Sequence, residues 1–305
     1  MNDQHNFGLR VQSAIEQRGR LCVGVDPHAS LLAAWGLNDD LASATRFSYR
    51  LVDAVAQHVG FIKPQSAFFE RFGWRGLALL EKVVERSRSA GALVILDVKR
   101  GDIGSTMRAY AEAYLPKGAP CEVDAITVSP FLGVGSLQPA VDIATEHGKG
   151  LFTLALTSNP EGRSVQSAVG ADGRTVSQSV IDAAGLINAA YDPIGPLGVV
   201  VGATVGAEKS EVAAKERESK DEIAHTQQQT SESGHDLSKL RGPVLVPGMG
   251  AQGGQPEDLK RVLGPALKWS IPTYSRQIAQ AGPSLAGIQS AVKDLQAAYR
   301  VTTRL

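Results

Sequence analysis

The sequence carries no excess charge of either sign: 31 Lys and Arg stand against 31 Asp and Glu. A basic field that would gather nucleic acid or an acidic membrane surface is therefore not expected. Cysteine is scarce. Cys22 and Cys121 are the only two in 305 residues and form no Cys-x-x-Cys pair. Both sit in or beside apolar segments, which reads as buried free thiols and fits a reducing cytoplasm. No apolar run reaches the ~18 residues that a membrane span needs. Residues 1–10 are polar and lack the apolar core of a secretory signal. The histidines, at positions 5, 28, 58, 147, 225 and 235, make neither His-x-His nor His-Glu-x-x-His. A histidine metal site and a Ser-His-Asp triad are thus not expected. No repeat at solenoid periods is visible.

What the chain does have is apolar content, 43% of residues, enough for a substantial core. A helical stripe covers 7–18 and stops at Gly19. Strand-like runs follow at 21–26, 61–65, 92–99, 125–129, 151–158, 197–204 and 244–247, with a weaker one at 266–273. Helical patterns at 41–59, 77–89, 105–114, 137–146, 176–191 and 285–300 lie among and after them. Strands alternating with helices imply a parallel sheet. Eight of them over about 280 residues fit a closed (β/α)8 TIM barrel with an N-terminal helix, in one domain spanning 1–305. An open doubly wound sheet is the alternative.

Active sites in such barrels sit at the C-terminal ends of the strands. Polar residues gather at those ends: Asp26, Lys63, Asp97 with Lys99, Ser129, Ser158, Thr204 and the glycine-rich turn after Pro247. Two segments depart from a compact barrel. Residues 159–175 form a long Gly- and Ser-rich stretch on the active face, either a lid or a passive surface loop. Residues 208–240 read as a charged insertion. Glu211/Lys215 and Glu216/Lys220 favour an exposed helix there, and the polar run at 225–234 reads as mobile.

The stretch Ala92-Leu-Val-Ile-Leu-Asp-Val-Lys-Arg-Gly-Asp-Ile-Gly-Ser-Thr106 stands out. It is a strand apolar enough to be buried on both faces, yet its end carries Asp97 and Lys99 on one face. Asp102 follows at a turn. An ammonium held between carboxylates is kept charged and oriented, which suits protonation of a carbanion. A buried structural ion pair is the plainer reading of the same spacing. Lys63 would converge on this strand in a closed barrel, or snorkel to solvent. Asp26 before Pro27 and Ser158 in a turn are equally compatible with simple turn chemistry. Pro247-Gly-Met-Gly-Ala-Gln-Gly-Gly254, following strand seven, can turn backbone amides toward an anion. Gln252 can add a side-chain donor, and Ser275-Arg276 after strand eight brings a planar cation to the same end.

The run Leu96-Asp-Val-Lys-Arg-Gly-Asp-Ile-Gly-Ser-Thr-Met107 resembles the signature of the orotidine 5'-monophosphate decarboxylase family, in its longer bacterial subclass. The similarity covers about residues 8–300. It implies conversion of a small nucleotide substrate to uridine monophosphate, with no cofactor and no metal. It assigns Lys99 to the protonation of C6, Asp97 to the neighbourhood of the departing carboxylate, and Asp26 and Lys63 to the ribose. It assigns Ser158 to the pyrimidine, and Gln252 and Arg276 to the 5'-phosphate, beside Pro247 and Ser275. It also implies a homodimer, with Asp102, Ile103 and Thr106 entering the neighbouring site. Two rivals remain on the same barrel. One is a magnesium-dependent phosphosugar lyase, which keeps Asp-x-Lys-x-x-Asp but has Glu on strand two; Lys63 argues against it. The other is a catalytically silent nucleotide-binding barrel.

Overall fold

The computed structural model describes residues 6–204, 234–251 and 253–302. Eight parallel strands close in sequence order. They are β1 (Cys22–Val25), β2 (Phe61–Pro64), β3 (Leu93–Arg100), β4 (Ala125–Val128), β5 (Gly150–Leu156), β6 (Leu197–Val201), β7 (Val244–Val246) and β8 (Ser270–Tyr274). Pairing of Cys22 with Thr273 and of Val23 with Tyr274 joins β8 to β1, and closure removes the sheet edges. The expected TIM barrel is thus the observed one.

The pleat sorts the side chains. Cys22, Phe61, Ile95, Ala125, Phe152, Val200, Leu245 and Ile271 meet inside the barrel. Their sequence neighbours, such as Val23, Ile62, Leu96 and Ile126, turn outward under the helices. Side chains two apart share a face. The next inward positions toward the strand ends are therefore Lys63, Asp97, Thr127, Leu154 and Thr273, and all five line one cleft.

The helices are α1 (Phe7–Arg18), α2 (Ala29–Ala34), α3 (Leu41–Val55), α4 (Ala67–Glu70), α5 (Trp74–Ser89), α6 (Gly104–Glu112), α7 (Gln138–Glu146), α8 (Arg163–Gln166), α9 (Val176–Asn188), α10 (Asp258–Leu263), α11 (Arg276–Ala279) and α12 (Leu285–Thr302). Helix α1 stoppers the N-terminal end of the barrel. Phe7 and Val11 are fully buried against the inner layer, and the Phe7 ring meets Phe152 edge-on at 6.0 Å. A side chain at Gly150 would collide with Phe7, so glycine is required there. Asn6 caps the helix by accepting from the Gly8 amide.

Several elements differ from expectation. The eighth strand starts at Ser270, not near 266, because residues Gly264–Trp269 form a 3-10 turn begun by Gly264 and Pro265. The stretch 159–175 is not plain loop: it holds a 3-10 turn at Pro160–Gly162 and then α8. Gln166 ties it to the end of β5, accepting from the Thr157 amide at 2.9 Å and donating to the Thr157 hydroxyl at 2.7 Å. The expected insertion at 208–240 lies mostly outside the described residues, including its helix and its polar run up to residue 233. Its last residues belong to the barrel: Leu237 and Leu240 are buried in the outer core. The Gln178 side chain brackets the Asp236 backbone there, donating to its carbonyl and accepting from its amide.

One irregularity governs the site. Leu96 of β3 pairs with Ile126 of β4, but the next pair is Arg100 with Val128. Residues 97–99 therefore face the single residue Thr127. Such a bulge bends the strand and re-aims its side chains. Within it Lys99 adopts φ 47°, a left-handed conformation that β-carbon crowding disfavours.

Candidate active site

The cleft at the C-terminal ends of the strands has a volume of about 390 Å³. At its floor Asp97 is the hub. Its Oδ2 accepts from Lys63 Nζ at 3.1 Å, and its Oδ1 from Lys99 Nζ at 2.7 Å. Thr127 Oγ1 donates to the same Oδ1 at 2.8 Å and accepts from the Lys99 amide at 2.9 Å. Gln65, one step past β2, donates to the Asp97 carbonyl at 3.1 Å; its Oε1 lies 3.5 Å from Lys99 Nζ. The Lys63 side chain is 8% exposed and that of Asp97 11%, whereas Lys99 is 46% exposed. One lysine is thus locked in the floor and the other reaches into the open cleft.

Electrostatics favour full ionisation of the buried pair. Burial alone would lower the Lys63 pKa, but Asp97 and then Asp26 outweigh it and hold it above the ordinary lysine value. Burial would raise the Asp97 pKa, but Lys63, then Lys99, and the hydrogen bonds from Lys99 and Thr127 hold it well below the carboxylate range. The Cys22 thiol beneath them is pushed by burial up to about 12, so it stays protonated.

Asp26 faces the same space. Its Oδ1 is buried and has no hydrogen-bond partner among the described residues. A buried carboxylate oxygen without a donor is costly and awaits one. Gly24 makes its approach feasible: a β-carbon there would lie 2.8 Å from Ser275 Cβ and 3.0 Å from Asp26 Oδ2.

On the opposite rim the glycine-rich loop follows β7. Gly248, Gly250 and Gly253 all have positive φ, at 89°, 66° and 96°. The loop folds on itself through Gly250 N to Gly254 O at 2.7 Å and Gly254 N to Gly248 O at 3.1 Å. Pro247, Gly248, Met249 and Ala251 border the cleft beside Ser275 and Arg276. Arg276 opens α11 and is exposed. The cleft therefore has an acid–lysine array at one side and an amide-rich loop with an arginine at the other. Leu154, Val200 and Leu245 form an apolar wall between them.

Of the sequence-predicted site residues, Asp26, Lys63, Asp97, Lys99, Ser158, Pro247, Ser275 and Arg276 come together in this cleft. Gln252 lies outside the described residues. Asp102, Ile103 and Thr106 do not border the cleft. Asp102 accepts from the Ile103 amide at 2.8 Å at the start of α6, and Ile103 is 61% exposed. Ser129 and Thr204, at strand ends, also stay outside it. Sequence reasoning missed Thr127 and Gln65. The available signal for Thr127 was its place two residues after Ala125 on a strand whose other positions are apolar. A second cleft, about 470 Å³, opens at the opposite end near Arg18, Arg20 and Tyr299. It sits at the face of the barrel that serves stability rather than chemistry.

The sequence profile of the orotidine 5'-phosphate decarboxylase / HUMPS family matches residues 19–290. An orotidine 5'-phosphate decarboxylase from Streptomyces coelicolor is 52% identical over 285 residues, covering 93% of this chain and 94% of that one. One from Salinispora arenicola is 50% identical over 286 residues, covering 94% of each. A crystal structure from Streptomyces avermitilis, provisionally given the same name, superposes with a TM-score of 0.88 at 48% identity, covering 100% of both chains. The orotidine monophosphate decarboxylase structure from Leishmania donovani is more distant, with a TM-score of 0.68 and 28% identity, covering 97% of this chain and 98% of that one. The chain thus belongs to the orotidine 5'-phosphate decarboxylase / HUMPS family.

Proposed function

We propose that this chain decarboxylates orotidine 5'-monophosphate to uridine 5'-monophosphate, with Lys99 as the proton donor. The observation that carries the reading is the Lys99 ammonium, 2.7 Å from Asp97 Oδ1 and open to the cleft. When the C6–carboxylate bond breaks, carbon dioxide departs and the electron pair stays on C6 in the ring plane. The ring cannot delocalise that pair. The nearby ammonium stabilises it and then donates a proton to C6; water returns the proton to Lys99. Asp97, 2.7 Å away, keeps the donor aimed. The apolar wall of Leu154, Val200 and Leu245 accommodates neutral carbon dioxide better than the charged carboxylate, which favours the forward step.

The remaining groups bind the parts of the substrate that do not react. The Asp26 oxygen without a donor, with Lys63 beside it, fits ribose hydroxyls. Ser158 fits the pyrimidine edge. The Pro247–Gly254 loop, Gln252, Ser275 and Arg276 fit the 5'-phosphate, through amides and a planar cation. No cofactor or metal enters this scheme. A magnesium-dependent phosphosugar lyase would need an acid on β2, where Lys63 forms an ion pair instead.

We further propose a cytoplasmic homodimer in which Asp102, Ile103 and Thr106 complete the neighbouring site. Exposed Ile103 (61%), Phe131 (80%) and Leu132 (54%), in the turns after β3 and β4, supply an apolar contact surface at the site's edge. Among the described residues no helix is long and apolar enough to cross a membrane.

Lys99→Ala tests the central role. Turnover of orotidine 5'-monophosphate should be abolished while uridine 5'-monophosphate still binds, and the wild-type rate should survive a chelator. Unchanged turnover in the variant would remove Lys99 from the mechanism, and loss of wild-type activity in chelator would favour the lyase.

A further inference from the structure

In an even parallel ladder the β3 amides would find β4 carbonyls. Where residues 97–99 face Thr127 alone, that supply fails. The Lys99 amide donates instead to Thr127 Oγ1, at 2.9 Å, and the hydroxyl in turn donates a hydrogen bond to Asp97 Oδ1, at 2.8 Å. Thr127 is 1% exposed, so water cannot readily take over either bond. A hydroxyl has one proton and two lone pairs, so both bonds can be made at once. Two groups of the reacting array, the acid and the backbone that carries the ammonium, are thus linked through one oxygen.

We propose that Thr127 is a positioning residue for decarboxylation: its hydroxyl replaces the strand partner that the bulge removes and fixes the Asp97 carboxylate relative to the left-handed Lys99 backbone. This rests on the reading of Lys99 as proton donor. The backbone at Lys99 is in a conformation that surrounding contacts must enforce. Misplacing a reacting group by a fraction of an ångström slows chemistry more than it weakens binding. Valine has the shape of threonine and neither bond; serine keeps both.

The test compares Thr127→Val with Thr127→Ser in steady-state kinetics on orotidine 5'-monophosphate and in binding of uridine 5'-monophosphate. Thr127→Val should lower kcat by about 10- to 100-fold, with KM and product affinity within about threefold of wild type. Thr127→Ser should keep kcat within about threefold of wild type. A Thr127→Val enzyme with wild-type kcat overturns the proposal, as does a Thr127→Ser enzyme equally slow. Should Thr127→Val fail to fold, Thr127→Ala against Thr127→Ser poses the same question of the hydroxyl. The two readings fail separately: an active Lys99→Ala removes the premise, whereas an inactive Lys99→Ala beside a fully active Thr127→Val overturns the role of Thr127 alone.

Discussion

Asp97 serves three donors with two oxygens, and the buried Lys63 ammonium relies on it most. In Asp97→Asn that ammonium would face an amide in place of its nearest counter-charge. Removing one member of a buried pair costs about 3–5 kcal/mol, and denaturation at pH 7 should register a loss of that order. The sign of the pH dependence follows from the raised Lys63 pKa. Its pairing stabilises the fold fully below the unfolded lysine value, about pH 10.4, and the benefit fades only as pH rises through the higher folded value. The gap between wild type and Asp97→Asn should therefore narrow in strongly alkaline buffer; a gap that widens would contradict the pairing. The Asp97–Lys99 spacing was visible in the sequence because charge is rare at the end of an apolar strand. The left-handed backbone of Lys99 was not, since nothing in a lysine announces positive φ. Thr127 looked like any β-former, because its importance comes from partners on another strand.

At the scale of elements, α1 and the charged groups around it close the far end of the barrel. Arg10 of α1 pairs with Asp124, whose other oxygen accepts from the Val94 amide at 2.8 Å. Glu122 receives Lys149 at 2.8 Å and Arg88 at 2.7 Å. Phe7→Ala would leave a void beneath Phe152, and a loss of about 3–5 kcal/mol in urea unfolding is expected. The folded enzyme should keep its kcat, because the site lies at the opposite end. Burial alone would raise the Glu122 pKa, yet the Gly118 amide, Lys149 and Arg88 bring it to about 2. Its contribution is present above the ordinary value of 4.5 and should be lost as pH falls toward 2. Lys149 offsets part of this, since burial lowers its own pKa despite the acids. Glu122→Gln should flatten the acid unfolding curve between those limits. The long elements were legible because several turns or a whole apolar strand repeat their pattern. Helices α2, α4, α8 and α11 span only four to six residues and give no period to detect. Strand β8 contains Pro272 and follows a 3-10 turn, which blurred its start.

At the scale of the whole molecule, the closed barrel followed from strand count and alternation, while the proposed sharing of sites between subunits has no signal in the spacing. The proposed homodimer makes a quantitative expectation. Lys99→Ala and Asp102→Ala enzymes, each inactive alone, should on mixing and reassociation regain about a quarter of wild-type activity, because half the dimers are mixed and each mixed dimer rebuilds one intact site. No recovery, with mixed dimers confirmed by mass spectrometry, would place Asp102 in its own subunit's chemistry. The fault in pairing between β3 and β4 has a last consequence. From Leu96 to Arg100 the chain takes four steps where its neighbour, from Ile126 to Val128, takes two. Excising two of the intervening residues would give a tidier and more regular sheet. It would also leave no place for both the Asp97 carboxylate and the Lys99 ammonium over the cavity, so in this protein an imperfect weave is the condition for having a reaction centre at all.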